Sequence, residues 1–265
     1  MSALIVIPAR MGSTRFPNKP LALIARKTMI QRVWEIGKAA HEADQVVIAT
    51  DSLELKQACE AFGASVVMTD PRCLTGTDRV AETIMNHPFL NDIVLSLQGD
   101  AVLTPPWVID ALIAEMKQDS SVSIATPAVK LAGEALTHFI DQKRRGSTTG
   151  TSVVFDNQRN ALYFSKALIP FIRSEQQESL TVWRHIGLYA YRREALITLT
   201  QLPEGKLEKT EKLEQLRALE NGMAIRVVPV DYRGRSHGSV DRPEDVAHVE
   251  SLIAKEGELL ESCLS

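Results

Sequence analysis

Arg10, Arg15 and Lys19 fall in one short loop, "ARMGSTRFPNKPL", directly after the apolar run 4–9 (LIVIPA). A guanidinium can fork onto two phosphate oxygens and an ammonium acts as a point charge, so three such groups around Gly12 suit a polyphosphate. A solvated basic turn is the alternative, and the loop alone does not separate the two. Neither G-x-x-x-x-G-K-[ST] nor G-x-G-x-x-G is present, which disfavours the common phosphate loop and the dinucleotide fold of dehydrogenases. Two aspartates suit a metal. Asp100 follows the apolar stretch 92–98 (DIVLSLQ), and Asp241 precedes "RPEDVAHV". Hard cations prefer oxygen ligands, so the pair could hold one Mg²⁺ against phosphate oxygens. Their bland readings are a turn aspartate and a helix cap. In "LTGTDRVAE", residues 74–82, Gly76 lies between Thr75 and Thr77 at a helix start. Backbone N–H groups and hydroxyls there would meet a base edge or a ribose, or Thr77 would simply cap the helix. Lys166, His185, Tyr189, Glu214 and Gln215 are the chemistry-bearing residues of the second half. By themselves they read equally as a strand histidine and a solvated helix face.

These groups need a scaffold, and the apolar pattern supplies one. Runs 4–9, 45–50, 65–69, 92–98 and 121–126 are short and rich in β-branched residues, as buried strands are. Helical spacing separates them: Ile30, Val33, Trp34 and Gly37, then Leu55, Ala58, Cys59 and Phe62. Asp51 or Ser52 would cap the second helix and Gly63 would end it. "TPPWVIDALIAEM" starts another with proline in its first turn. Alternation at this spacing predicts an α/β fold, a mostly parallel sheet with helices on both faces. Ligands on such sheets lie beyond the carboxyl ends of the strands, where the basic loop, Asp51 and Asp100 all fall. From about 127 to 150 the pattern lapses, which predicts an excursion or mobile loop. Residues 151–165 read as a hairpin turning at Asp156–Asn160, and 184–192 resume strand character. Helices are expected at 193–201 and 207–221, and a last one with Pro243 in its first turn.

The bulk properties narrow the classes. The chain of 265 residues is 45% hydrophobic and 24% charged, the balance of a soluble globular protein. A net charge of −3 argues against general nucleic-acid binding. Cys59, Cys73 and Cys263 lack metal-ligand spacing and read as free thiols of a reducing compartment, Cys59 as an apolar filler. No secretory leader or membrane span is evident, so the expected location is cytoplasmic, with no membrane partner.

Taken in order, "IPARMGSTRFPNKPL", "ATD", "TGTDRVAE", "LQGD", "ALYFSKALIP", "HIGLYAYRRE", "LEQLRALENG" and "SVDRPED" resemble the 3-deoxy-manno-octulosonate cytidylyltransferases (CMP-Kdo synthetases) over nearly the whole chain. The resemblance implies a Rossmann-like sheet of the nucleotide-diphospho-sugar transferase type, one domain over 1–265. A smaller α+β sub-lobe, at about 127–200, would carry the hairpin, the sugar site and homodimer contacts. It implies CTP, Mg²⁺ and a sugar-acid acceptor of lipopolysaccharide core synthesis. By position, Arg10, Arg15 and Lys19 would hold the CTP phosphates, with Lys19, Arg10 and Asp100 at the reacting centre. Ala9, Thr75, Gly76 and Gln98 would surround the cytidine, and Asp100 and Asp241 would bind the metal. Lys166, His185, Tyr189, Glu214 and Gln215 would line the sugar pocket.

Departures from the family pattern gather on the sugar side. "QGDEP" is here "QGDAV", with Ala101 and Val102 beside Asp100; "YFSR" ends here in Lys166; "NAVKVV" is replaced by "TTGTSVVFD"; "GVDTPED" becomes "GSVDRPED". They point to a modified octulosonate such as the 8-amino-8-deoxy form. Two rivals remain: a cytidylyltransferase for another ulosonate such as a sialic acid, and a CTP-binding regulator without turnover.

Overall fold

The computed structural model describes residues 1–12, 15–173 and 181–260. Strand β1 (Ala3–Pro8) is buried along its whole length, and its side chains alternate between two cores. Ala3, Ile5 and Ile7 enter one, Leu4 and Val6 the other. A strand covered on both faces reads as a continuous apolar run, which is why "LIVIP" is legible. After it come the two-residue strands β2 (Leu23–Ile24) and β3 (Lys27–Thr28), then helix α1 (Met29–Lys38), capped by the Thr28 side chain. Next are β4 (Gln45–Thr50), α2 (Leu53–Ala61) with Ser52 as its cap, β5 (Ser65–Met68), α3 (Gly76–Asn86) and β6 (Ile93–Ser96). β5, β4, β1 and β6 lie side by side and all parallel. Their carboxyl ends therefore share one edge, and the basic loop, Asp51 and Asp100 leave the sheet there. This is the expected α/β arrangement.

Helix α4 (Pro106–Gln118) leads into β7 (Ile124–Leu131) and α5 (Gly133–Arg144). Both occupy the stretch 127–150 in which an excursion or mobile loop was expected. The reason is a small separate core: Leu131, Leu136, Phe139 and Ile140 pack with Val182, a residue some 40 positions away that no local pattern announces. The hairpin β8 (Thr151–Phe155) and β9 (Ala161–Ser165) follows as expected, then β10 (Val182–His185) and β11 (Tyr189–Arg192). These last two run antiparallel along β7. From His185↔Ala128 to Ala190↔Ala125 they advance five positions while β7 retreats three. The surplus sits at Ile186–Leu188, so the expected strand 184–192 is broken by a bulge. β11 also pairs antiparallel with β6, which joins the antiparallel strands β7, β8, β9 and β10 to the parallel half in one sheet.

Helix α6 (Arg193–Gln201) has the expected limits. The expected helix 207–221 is instead two, α7 (Lys206–Glu211) and α8 (Gln215–Glu220). Lys212, in the left-handed region at φ 55°, turns the chain between them. β12 (Arg226–Pro229) pairs parallel with β7, and α9 (Pro243–Glu256) begins at Pro243 as expected. Cys59 is fully buried, and burial pushes its thiol up to about 12, in keeping with a filler role. Cys73 is also free, while Cys263 lies outside the described residues. Among the described residues no helix is long and apolar enough to cross a membrane.

Candidate active site

Two cavities open at the carboxyl edge of the parallel strands. The first, of about 280 Å³, is lined by Ala9, Arg10, Arg15, Lys19, Thr75, Gly76, Gln98, Asp100 and Asp241, with Cys73, Leu74 and Arg79 on its far wall. Every residue expected at a nucleotide thus faces one space. Close packing of strand ends shapes it. A Cβ on Gly99 would come within 2.9 Å of the Pro8 carbonyl, so only glycine lets the chain after β6 pass the end of β1. A Cβ on Gly76 would reach 3.1 Å from Gln98 Oε1.

Lys19 lies at the centre of the charges. Its ammonium donates to Asp100 Oδ2 at 2.7 Å and to Asp241 Oδ1 at 3.5 Å, and Arg15 Nη2 stands 3.6 Å from the same Asp241 oxygen. Asp241 does not cap α9. Arg242 occupies the cap position, and the N–H groups of Asp241 and Arg242 both donate to Asp245. The two aspartates therefore aim at a common point, and a lysine cation holds it. Two carboxylates converging on one cation are a donor set that suits a divalent ion. Among the described residues no group of three or more His, Cys, Asp or Glu side chains forms a closed cage. An ion here would take its remaining oxygens from substrate and water.

Helix α3 forms the partition. Thr75, not Thr77, is its cap: the Thr75 hydroxyl accepts from the Asp78 N–H and the Asp78 carboxylate from the Thr75 N–H, both at 3.0 Å. Arg79, nearly inaccessible, donates to Asp51 at 2.9 Å and to the Thr69 hydroxyl, tying α3 to the ends of β4 and β5. Glu82 accepts the Asp70 N–H and the Cys73 thiol. Asp51, read above as a possible cap of α2, leaves that role to Ser52 and pairs with Arg79, which stands in a motif noted above without a role assigned to it. A charge on the buried face of an amphipathic helix was the available signal.

The second cavity, of about 230 Å³, shares Gly76 and Gln98 with the first. Tyr189, Glu214 and Gln215 line it, together with Thr77, Gly187 and Tyr191. His185 sits beside it, its ring 5.5 Å from that of Tyr189 and edge-on to Phe164 at 5.0 Å. The Thr126 hydroxyl spends its one proton on the Leu188 carbonyl at 2.8 Å, so His185 Nε2, 2.9 Å away, must be the donor to Thr126. Burial first, then the nearby Lys166 and His237, pull the imidazole down to about 3, and it is neutral. Burial raises the Glu214 carboxyl above its ordinary range, with a hydrogen bond from Thr77 opposing. The Tyr189 hydroxyl and Gln215 Nε2 are buried and make no close hydrogen bond to the protein, although the Thr126 hydroxyl lies near enough to Tyr189 to interact with it. Native interiors rarely leave such groups unpaired, and two of them facing one cavity mark a place for a ligand's polar atoms. The break at Lys212 explains how Glu214 and Gln215 reach it, since a continuous helix would carry them around its turn. Lys166 follows β9 and is charge-coupled to His185 and Asp241, but it is not among the residues that line either cavity.

A mostly parallel α/β sheet thus carries at one edge a cavity lined by cations and two carboxylates, joined through Gly76 and Gln98 to a second. Similarity to known proteins makes the chain a CTP-using nucleotidyltransferase. A family model described as cytidylyltransferase matches residues 4–225, and the chain belongs to that family. It is 51% identical over 260 residues to the 3-deoxy-manno-octulosonate cytidylyltransferase of Maricaulis maris (strain MCS10), covering 98% of this chain and 100% of that one. It is 41% identical over 256 residues to the 8-amino-3,8-dideoxy-manno-octulosonate cytidylyltransferase of Shewanella loihica (strain ATCC BAA-1088 / PV-4), covering 96% and 99%. The solved structure of CMP:2-keto-3-deoxy-manno-octonic acid synthetase complexed with CTP superposes with a TM-score of 0.86 at 35% identity, covering 97% of this chain and all of that one.

Proposed function

We propose that this chain transfers CMP from CTP to the anomeric hydroxyl of a 3-deoxy-octulosonate-type sugar acid and releases pyrophosphate, an activation step for lipopolysaccharide core assembly. The observation that carries the proposal is the meeting of two unlike cavities across Gly76 and Gln98, one lined by cations and two carboxylates, the other by buried polar groups without close protein partners. In this reading Arg10, Arg15 and Lys19 neutralise the triphosphate, and Ala9, Thr75, Gly76 and Gln98 surround the cytidine. Asp100 and Asp241 hold Mg²⁺, whose chemistry is to stabilise charge on the phosphate oxygens and to acidify the attacking hydroxyl. Lys166, His185, Tyr189, Glu214 and Gln215 bind and orient the acceptor.

The step is an in-line displacement. A bond forms from the anomeric oxygen to the α-phosphorus while the bond to the bridging oxygen breaks, and the charge that grows on pyrophosphate meets the basic loop. Lys19 fits this role because loading the site would free its ammonium from the two aspartates. His185 is too weak a base at about 3 to take the hydroxyl proton, so it serves as a fixed hydrogen-bonding group. We further propose that residues 127–200 act as a sub-lobe over the acceptor and contribute to a homodimer contact, supported by the exposure of Leu162 and Phe171.

Pyrophosphate release from CTP with three acceptors tests the proposal: 3-deoxy-manno-octulosonate, its 8-amino-8-deoxy form, and a sialic acid. The expected order of kcat/KM places both octulosonates well above the sialic acid. The names of the relatives allow either octulosonate. Val102 is buried in the core with Ala101 packed against it, and neither they nor Lys166 line the second cavity, so the expectation that these departures fall on the sugar side is not met and the choice rests on the assay. A clear preference for the unmodified sugar would remove the amino-sugar reading, and CTP binding without any pyrophosphate release would leave a regulator.

A further inference from the structure

Lys166 is held by its backbone at both ends. Its N–H donates to Glu211 Oε2 at 2.8 Å, and its carbonyl accepts from Lys143 Nζ at 2.6 Å. Glu211 also accepts the Ser165 hydroxyl at 2.7 Å, and Ser165 Oγ accepts the Ala167 N–H at 3.0 Å. The Lys143 ammonium has three protons and three close acceptors: the carbonyls of Lys166, Gly150 at 2.7 Å and Thr149 at 2.9 Å, with Ser147 O farther away at 3.4 Å. The Phe139 ring covers it at 5.1 Å. One side chain thus joins α5 and the loop 147–150 that follows it to the residue after β9, more than twenty positions on. The Lys166 ammonium is close enough to His185 to lower its imidazole and to Asp241 to be raised by it.

We propose that Lys143 and Glu211 are positioning residues for the acceptor, a clamp on both backbone ends of Lys166 that aims its ammonium toward His185 and Asp241. The inference rests on the reading of Lys166 as an acceptor contact. Lys143, Glu211 and the Lys166 they hold all stand outside the lining of both cavities, so the first two would reach the acceptor only through the extended Lys166 side chain. A lysine's four-carbon side chain sweeps a wide volume, and a fixed backbone limits that sweep to the arc in which a sugar acid would meet it. The charge of the clamp is itself sensitive. Burial first, then Lys166 and Arg184, lower the Lys143 ammonium to about 8, with Glu211 opposing.

Steady-state kinetics of the full chain with CTP and 3-deoxy-manno-octulosonate test this in Lys143→Met, Glu211→Ala, Lys166→Met and the double variant Lys143→Met with Lys166→Met. A misaimed contact raises the acceptor KM by about tenfold while a distant site keeps its own, as loss of one hydrogen-bonded contact does. The expected result is that rise in each single variant, with the CTP KM within about twofold of wild type, and a double variant no worse than Lys166→Met alone. An acceptor KM that rises in Lys166→Met but stays at the wild-type value in Lys143→Met and Glu211→Ala would overturn the clamp and leave Lys166 as a contact. Equal rises in both KM values would overturn it as general loosening. An unchanged KM in Lys166→Met would overturn the reading of Lys166 itself, and the clamp with it. Should Lys143→Met fail to fold, Glu211→Ala carries the same outcomes from the other end.

Discussion

The cavity that holds Lys19 keeps its charges partly in water and paired with one another, whereas the cavity beside the neutral His185 keeps its polar groups buried and in two cases without a close protein partner. The first is charged before any ligand arrives. Lys19 and Arg15 rest on Asp100 and Asp241, so loading the site exchanges one set of ion pairs for another. The second is ready for directional contacts: the Tyr189 hydroxyl and Gln215 Nε2 are buried with no close hydrogen bond to the protein. A triphosphate is recognised by charge, which tolerates displacement; a sugar acid is recognised by the placement of hydroxyls, which does not.

Four experiments press on this difference. Asp100→Asn should have the largest effect, lowering kcat by about 10²–10³-fold, the usual cost of one electrostatic stabiliser at a reacting centre, with little change in the acceptor KM. Turnover at the wild-type rate would remove Asp100 from the chemistry. Tyr189→Phe should raise the acceptor KM by about tenfold and yet leave the free protein as stable as before or more so, because it deletes a buried hydroxyl that has no close protein partner. A fall in melting temperature would mean that the hydroxyl is paired in the free protein. Raising the salt from about 0.05 to about 0.3 M should weaken CTP several-fold and the acceptor less, since exposed charges are screened and buried dipoles are not. Equal sensitivity would erase the distinction.

The smallest effect concerns acid. His185 and His237 sit at about 3 and about 4 in the fold, against an ordinary 6.5, through burial first. Below about 6.5 the unfolded chain takes up protons that the native one refuses, so stability falls as the pH drops toward 4. Denaturant midpoints across that window should fall less steeply in His185→Asn, by at most about 1.4 kcal/mol per pH unit for the one proton. Identical slopes would contradict a buried, neutral His185.

The same division governs what the sequence discloses. In the nucleotide half, a strand buried on both faces is a run such as 45–50, and its end is where the ligand groups stand; Asp100 and the basic loop were therefore legible. Asp241 was legible only beside Asp100, because a residue before a helix usually caps it, and here Asp245 does that work instead. After β6 the determinants are tertiary. Helix α5 exists because Phe139 and Ile140 find Val182, and the helix expected at 207–221 breaks where Lys212 turns left-handed, with no glycine to mark it. The clamp on Lys166 joins positions 143, 166 and 211, and nothing in their spacing suggests that they meet.

The most direct test of the central claim, that the two cavities together join a CMP group to a sugar acid, is the structure of the product. Phosphorus-31 NMR of a reaction holding the chain, CTP, Mg²⁺ and an octulosonate should show pyrophosphate and an equal amount of a single phosphodiester, CMP bonded through the anomeric oxygen. CTP that stays intact beside either octulosonate, or CMP released without a bond to the sugar, would contradict it.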